Sequence, residues 1–205
     1  MKSTKEAEFG ELKSDCSEEK RYNPFMLLYA KPIRTERLFL RPFAPGDAEE
    51  MFASYCHDEE MTRYLTWNPH RNIEETKTFL AIKLIEQKEP YHYDWLITFA
   101  GGIIGSINVV KLYPEGGFEI GYCLARKAWG QGFMSEAFHA VLIYLFDEAG
   151  FSYAIMKAQR ENLRSRRVIE KQGFHYDHDD QLELPNKNKT VIVAVYQLDK
   201  DEFIR

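Results

Sequence analysis

One stretch constrains this chain more than any other: "KAWGQGFMSEAFHAVLIYLFDEAG", residues 127–150, where Gly130 and Gly132 stand just before a helix must begin. Glycine weakens helices and is favoured where backbone has to be bare or left-handed. A glycine turn that ends a strand and launches a helix directs unpaired N–H groups at one point, backed by the helix dipole. That is an anion site. The alternative is a plain tight turn. The stretch is neither a GxxxxGK[ST] loop nor a GxGxxG fingerprint, since Ser135 stands where the third glycine would be.

The flanks set this turn between a strand and a helix. "GGFEIGYCLA" reads as a strand, opened by Gly116 and Gly117, and "YDWLITFAGGIIGSINVVKLY" before it as strand, turn, strand. After the turn, Met134, Ala137, Phe138, Val141 and Leu145 recur at helical spacing, and Gly150 suits the helix end. "YAIMKAQ" is then a strand, "NLRSRRVIEKQ" a helix closed by Gly173, and "FHYDHDD" and "TVIVAVYQL" two more strands. Upstream, "IRTERLFLRPF" alternates as one strand and "PGDAEEMFASYC" is a helix with Asp47 near its positive end. "DEEMTRYL" adds a helical turn or two. "NIEETKTFLAIKLIEQKE" pairs Asn72 as N-cap with Glu75, a capping-box arrangement. This order predicts an α+β (mixed α/β) fold, a mostly antiparallel sheet of about seven strands flanked by helices. One domain is expected over 32–200, behind a flexible charged extension over 1–31.

Composition narrows the function classes. A chain that is 44% hydrophobic and 14% aromatic can bury a substantial core. A net charge of −5 argues against general nucleic-acid binding, which needs dense Lys and Arg, and is compatible with a cationic substrate. No run approaches the roughly 20 apolar residues of a membrane span. The N-terminal run from Phe25 to Ala30 is too short for a signal-peptide core, so a cytoplasmic protein without a membrane partner is expected. Three cysteines (Cys16, Cys56, Cys123) without CxxC suggest neither a disulfide framework nor zinc. The "HYDHDD" run, 175–180, reads as a solvated strand end rather than a metal cluster.

A second landmark follows about thirty residues after the glycines: "QRENLRSRRVIEKQGF". Asn162 is placed as N-cap of a helix, with Ser165 one turn along on the same face. Simple capping accounts for Asn162 by itself, and a solvated serine for Ser165.

Together these landmarks resemble the GNAT superfamily of acetyl-CoA-dependent N-acetyltransferases, in particular the RimJ/RimL branch of ribosomal-protein N-terminal acetylases. The resemblance runs from "IRTERLFLRPF" to "VYQL" through four pieces in order: "TERLFLRPF", "EIGYCL", "KAWGQGFMSEA" and "NLRSRRVIEKQGF". The family turn is written Q/R-x-x-G-x-G/A, and here lysine (Lys127) takes the first place.

The resemblance implies a sheet whose strands 4 and 5 splay to admit acetyl-CoA as co-substrate. It implies direct acetyl transfer in a ternary complex to a primary amine, chiefly the N-terminal α-amine of a protein or peptide, without a metal. The backbone of Lys127, Trp129, Gly130, Gln131, Gly132 and Phe133 would then hold the diphosphate. Tyr122 and Leu124 would offer backbone to the pantetheine and the acetyl carbonyl, and Asn162 would meet the pantetheine or a water near sulfur. Ser165 would protonate the departing thiolate or hold a water that does, with Tyr176 and Tyr153 as rivals. Glu119 would receive the ammonium and relay its proton; the alternative is a solvated strand carboxylate. Tyr64 and Trp67 would wall the acceptor, unless they serve as core. Among Arg160, Arg164, Arg166 and Arg167, a partner for the ribose phosphate is weighed against a solvated helix face. Cys123 is expected to be buried and inert.

Two further readings stand beside this one. A small-molecule amine, such as a polyamine, an amino acid or an antibiotic, is the alternative acceptor. A non-catalytic acyl-CoA-binding sensor is the alternative from another class, and a homodimer is compatible with all three.

Overall fold

Eight strands, not seven, build the sheet, because "IRTERLFLRPF" folds back on itself instead of running straight. The computed structural model describes residues 29–205, so Cys16 and most of the expected 1–31 extension lie outside the described residues. The Thr35 N–H donates to the Leu38 carbonyl at 3.0 Å and the Leu38 N–H to Thr35 Oγ1 at 2.9 Å, closing a tight turn. That turn separates β1 (Ile33–Arg34) from β2 (Leu38–Arg41). The sheet continues with β3 (Asp94–Phe99), β4 (Gly102–Tyr113), β5 (Gly117–Leu124), β6 (Tyr153–Gln159), β7 (His175–Leu184) and β8 (Lys189–Asp199). Their spatial order is β1-β2-β3-β4-β5-β6-β8-β7, and only β5 and β6 run parallel.

Helices cover both faces. On one side lie α1 (Ala48–Met51, opening into a π-helical segment over Phe52–Cys56), α2 (Glu59–Thr62) and α3 (Ile73–Glu86). On the other lie α4 (Phe133–Ile143, continued by π-helical turns to Glu148) and α5 (Leu163–Lys171). Strand β3 shows why both faces fill: Trp95 and Ile97 join the core with Phe138 and Val141 of α4, while Leu96 joins Met51, Tyr55 and Leu80. With alternate side chains buried on opposite faces, the strand reads as continuously apolar. Asn72 Oδ1 caps α3 by accepting the Glu75 N–H at 3.1 Å, but the Glu75 carboxylate reaches back to the Arg71 N–H, not to that of Asn72.

The feature that positions the site is a gap. Pairing of β5 with β6 stops at Ile120 and Met156, while β6 keeps its partners on β8 as far as Gln159. A bulge at Val110 in β4 lies opposite Glu119 and Ile120, where that pairing ends. A bulge bends and over-twists its strand pair. β5 therefore swings away from β6, and the C-terminal halves of the two strands splay apart.

Candidate active site

The anion turn sits at one mouth of the gap. Gly130 and Gly132 are left-handed (φ 75° and 80°), the conformation that favours glycine. Gly132 holds the N-cap position of α4 without a capping side chain. Among the described residues, no protein acceptor meets the amides from Gly130 to Ser135. The Ala128 and Trp129 amides are consumed by the carbonyls of Ala125 and Arg126 in a short 3-10 turn. The free run thus starts three residues later than the expected Lys127 and extends past Phe133. Lys127 and Gln131 do not line the cleft, and the Gln131 side chain donates to the Lys127 carbonyl at 2.8 Å.

The slot itself is edged by β5 backbone. The Ala125 N–H donates to the Ile104 carbonyl, and antiparallel pairs alternate, so the N–H and C=O of Tyr122 and Leu124 point away from β4 into the gap. The carbonyl of Leu124 is already satisfied by Trp129 Nε1 at 2.7 Å, leaving its N–H. Trp129 in turn lies under the Arg164 guanidinium, 4.6 Å from the ring centroid.

Across the slot, Asn162 Oδ1 accepts the Ser165 N–H at 3.2 Å, the N-cap of α5. Ser165 Oγ lies 2.9 Å from the Tyr122 hydroxyl. Burial raises the Tyr122 phenol above its ordinary pKa, against the opposing effect of Ser165, so it stays protonated. Tyr176 and Tyr153 do not line the cleft. Tyr176 is half exposed against Tyr196, and Tyr153 packs over Tyr113 at the far end of the parallel pair.

Glu119 projects to the opposite face, its Oε2 accepting from the Tyr113 hydroxyl at 2.9 Å with Lys157 Nζ 3.9 Å away. It is therefore partly shielded and partnered rather than a freely solvated carboxylate. Cys123 is buried with Sγ 3.3 Å from Ser106 Oγ, and burial raises its thiol; burial pushes Cys56 up to about 12. Both remain thiols at neutral pH.

Tyr64 and Trp67 lie on the 63–68 segment, which straps across the far mouth of the gap. Gln159 Nε2 donates to the Tyr64 carbonyl at 3.0 Å, Lys187 Nζ to the Thr62 carbonyl at 2.6 Å, and Asn68 Nδ2 to the Asn186 carbonyl at 2.6 Å. Trp67 packs against His70 at a tilt, with ring centroids 5.4 Å apart, and His70 likewise against Phe79 at 6.0 Å. Burial lowers the His70 pKa, against the pull of Glu75, keeping this wall neutral. Sequence reading missed Gln159, Lys187 and His70, which carry no local motif and join the site only through packing.

Gly130, Tyr122, Asn162, Ser165, Glu119 and Trp67 border one cleft of about 1460 Å³ that is lined from both faces of the sheet. Ligand pockets usually measure roughly 300–1,000 Å³. This one is larger than that range. In the "HYDHDD" run, His178 bonds Asp177 and Asp179 pairs with Arg160. Arg166 serves Tyr196, and Arg167 reaches the cleft wall. Among the described residues, Glu86, His92 and Asp94 bring ligand-type atoms within 4.8 Å of one another. The Lys83 ammonium already sits between Glu86 and Asp94, at 2.9 and 3.1 Å. Among the described residues, no helix is long and apolar enough to cross a membrane.

Residues 37–175 match the acetyltransferase (GNAT) domain family. N-acetyltransferase YoaA of Bacillus subtilis, itself uncharacterized, is 31% identical over 147 residues, 69% of this chain and 81% of that protein. The uncharacterized N-acetyltransferase p20 of Bacillus licheniformis is 26% identical over 83% of this chain and 97% of its own length. Among solved structures, a GNAT-family acetyltransferase of Bacillus anthracis superposes with a TM-score of 0.74 at 26% identity, covering 84% of this chain and all of that one. RimL, a ribosomal L7/L12 α-N-protein acetyltransferase, shares the fold at 18% identity, with a TM-score of 0.72 over 82% of this chain and 94% of its own.

Proposed function

Since the chain belongs to the GNAT acetyltransferase family and is an acetyl-CoA-dependent N-acetyltransferase, we propose that its acceptor is the N-terminal α-amine of a protein or peptide, as in the RimJ/RimL branch. The observation that carries this reading is the cleft lined from both faces of the sheet: free amides at one mouth and an aromatic strap at the other. The strap supports an extended chain end over an amine on a folded surface, because whatever enters must pass beside Trp67 and the 62–68 backbone held by Gln159 and Lys187.

Acetyl-CoA fits the residues present. The amides of Gly130 to Ser135 would hold its diphosphate, and the slot-facing backbone of Tyr122 and the Leu124 N–H would align the pantetheine and acetyl carbonyl. Asn162 would border the thioester. Glu119, steadied by Tyr113, draws the ammonium and passes its proton to water. As the new C–N bond forms and the C–S bond breaks, Ser165, its hydroxyl oriented by Tyr122, would donate a proton to the departing sulfur and regain one from water, while the proton shed by the new amide nitrogen leaves through Glu119 and water. An α-amine with pKa near 8 is about one-tenth neutral at pH 7, so a relayed base suffices. Cytoplasmic placement goes with this reading, since acetyl-CoA and newly made protein N-termini meet there.

The neutral wall of Trp67, His70 and Phe79 also favours a second reading, a small aromatic or aliphatic amine. Measuring acetyl-CoA consumption over an acceptor panel separates the two. Turnover on Ala- and Ser-initiated peptides is expected; turnover on free amines alone would replace the peptide reading.

A further inference from the structure

We infer that Arg37 is a positioning residue for the acetyl donor, setting the shape of the anion turn by direct contact from 94 residues away in the chain. This rests on reading the Gly130–Ser135 turn as the diphosphate site. Arg37 lies in the turn between β1 and β2, yet three parts of it engage the head of α4. Its Nη1 donates to the Gln131 carbonyl at 3.0 Å, its Nε to Glu136 Oε2 at 2.7 Å, and its own N–H to Glu136 Oε1 at 2.9 Å. Thr35 Oγ1 donates to that same Oε1 at 2.5 Å. The guanidinium also lies over the Phe133 ring at 4.6 Å.

The consequence follows from peptide geometry. In a planar trans peptide the C=O and the next N–H point in opposite directions. Holding the Gln131 carbonyl on the Arg37 side therefore turns the Gly132 N–H the other way. Gly130 and Gly132 line the cleft and Gln131 does not, in keeping with this orientation. Within the turn the Gln131 side chain holds the Lys127 carbonyl, but Gly130 and Gly132 are left-handed and Gly132 has no capping side chain, so the Gln131–Gly132 peptide takes its outside restraint from Arg37. Glu136 balances the Arg37 charge, so the arginine acts by orienting amides rather than by adding net charge for the phosphates. A planar fork bonds two groups and stacks on a ring at once; a lysine ammonium does not.

The test compares acetyl-CoA with S-acetylpantetheine, which carries the same thioester without a diphosphate. In Arg37→Ala the KM for acetyl-CoA should rise about tenfold, one factor of ten in affinity, with kcat little changed and kcat/KM for acetylpantetheine unaltered. Arg37→Lys should not restore the wild-type KM. Glu136→Gln, which keeps the side chain's shape, should shift KM in the same direction by less and covers the case in which Arg37→Ala fails to fold. A loss shared equally by both donors, or shown by neither, overturns the role of Arg37. Wild-type enzyme that uses both donors equally well overturns the diphosphate reading and this inference with it.

Discussion

The Tyr122 hydroxyl lies 2.9 Å from Ser165 Oγ, joining the splayed end of β5 to the first turn of α5. The phenol is buried and stays protonated, and either hydroxyl can donate across this pair; when the phenol donates, the serine proton is left to face the slot. Ser165→Ala is expected to lower turnover by about a hundredfold, the usual scale of a lost general acid, with acetyl-CoA affinity unchanged. Steady-state kinetics beside a calorimetric titration checks this, and equal turnover would remove Ser165 from the chemistry. Tyr122→Phe should lose less, and the double variant no more than Ser165→Ala, because the two hydroxyls act in series.

Gly130→Val should weaken acetyl-CoA binding. No protein atom lies within 4 Å of the Cβ it would add, so crowding by the protein is not the cause. The new side chain would occupy ligand space, and a β-branched residue at φ 75° costs at least about 1–2 kcal/mol in the turn. Unchanged affinity would count against the turn as the donor site.

Glu119→Gln should depress kcat/KM by about tenfold or more, and more for an amine with pKa near 10.4 than for an α-amine near 8, which needs less help to lose its proton. Equal losses on both acceptors would assign Glu119 to binding rather than proton relay.

Lys187→Met should loosen the strap by removing the bond to the Thr62 carbonyl, and so relax discrimination among acceptors more than it alters acetyl-CoA binding. Burial, with Lys189 nearby, already lowers the Lys187 pKa, so its ammonium is held at some cost. An unchanged acceptor profile would show that the strap does not sort acceptors.

Acid should undo the bracket around the anion turn. Burial opposes the charge on Glu136, but the bonds from Thr35 and Arg37 prevail and hold its carboxyl below the ordinary value. Asp58, cap of α2, behaves alike: burial opposes its charge, and the Met61 N–H and Arg126 outweigh it. Groups depressed in the folded state contribute stability that is complete above their unfolded pKa, near 4, and is lost as pH falls through the folded one. Melting temperature should therefore hold above about pH 5 and drop below about pH 4, with a shallower drop in Glu136→Gln. An identical acid limb in the variant would refute the assignment.

The local devices were legible in the chain itself. Gly130 and Gly132 announce a left-handed turn because other residues resist positive φ, and Asn162 and Asn72 announce helix starts because their side chains replace a missing backbone acceptor. The alternation of "EIGYCL" marks a strand, and four ordered motifs mark a family. Such signals arise between residues a few positions apart, where chain geometry alone brings them together.

Only the tertiary structure decided how these pieces meet. It put Glu119 and Ser165 on opposite faces of the sheet, spent the Ala128 and Trp129 amides within the protein, and took Tyr176 and Tyr153 away from the cleft. It also brought Arg37 to Gln131 across 94 residues and Gln159 to Tyr64 across 95. Contacts at such separations depend on where the Val110 bulge parts β5 from β6 and on which side each strand residue faces. A shift of one residue in register reverses every one of those faces, and register is a property of the assembled sheet.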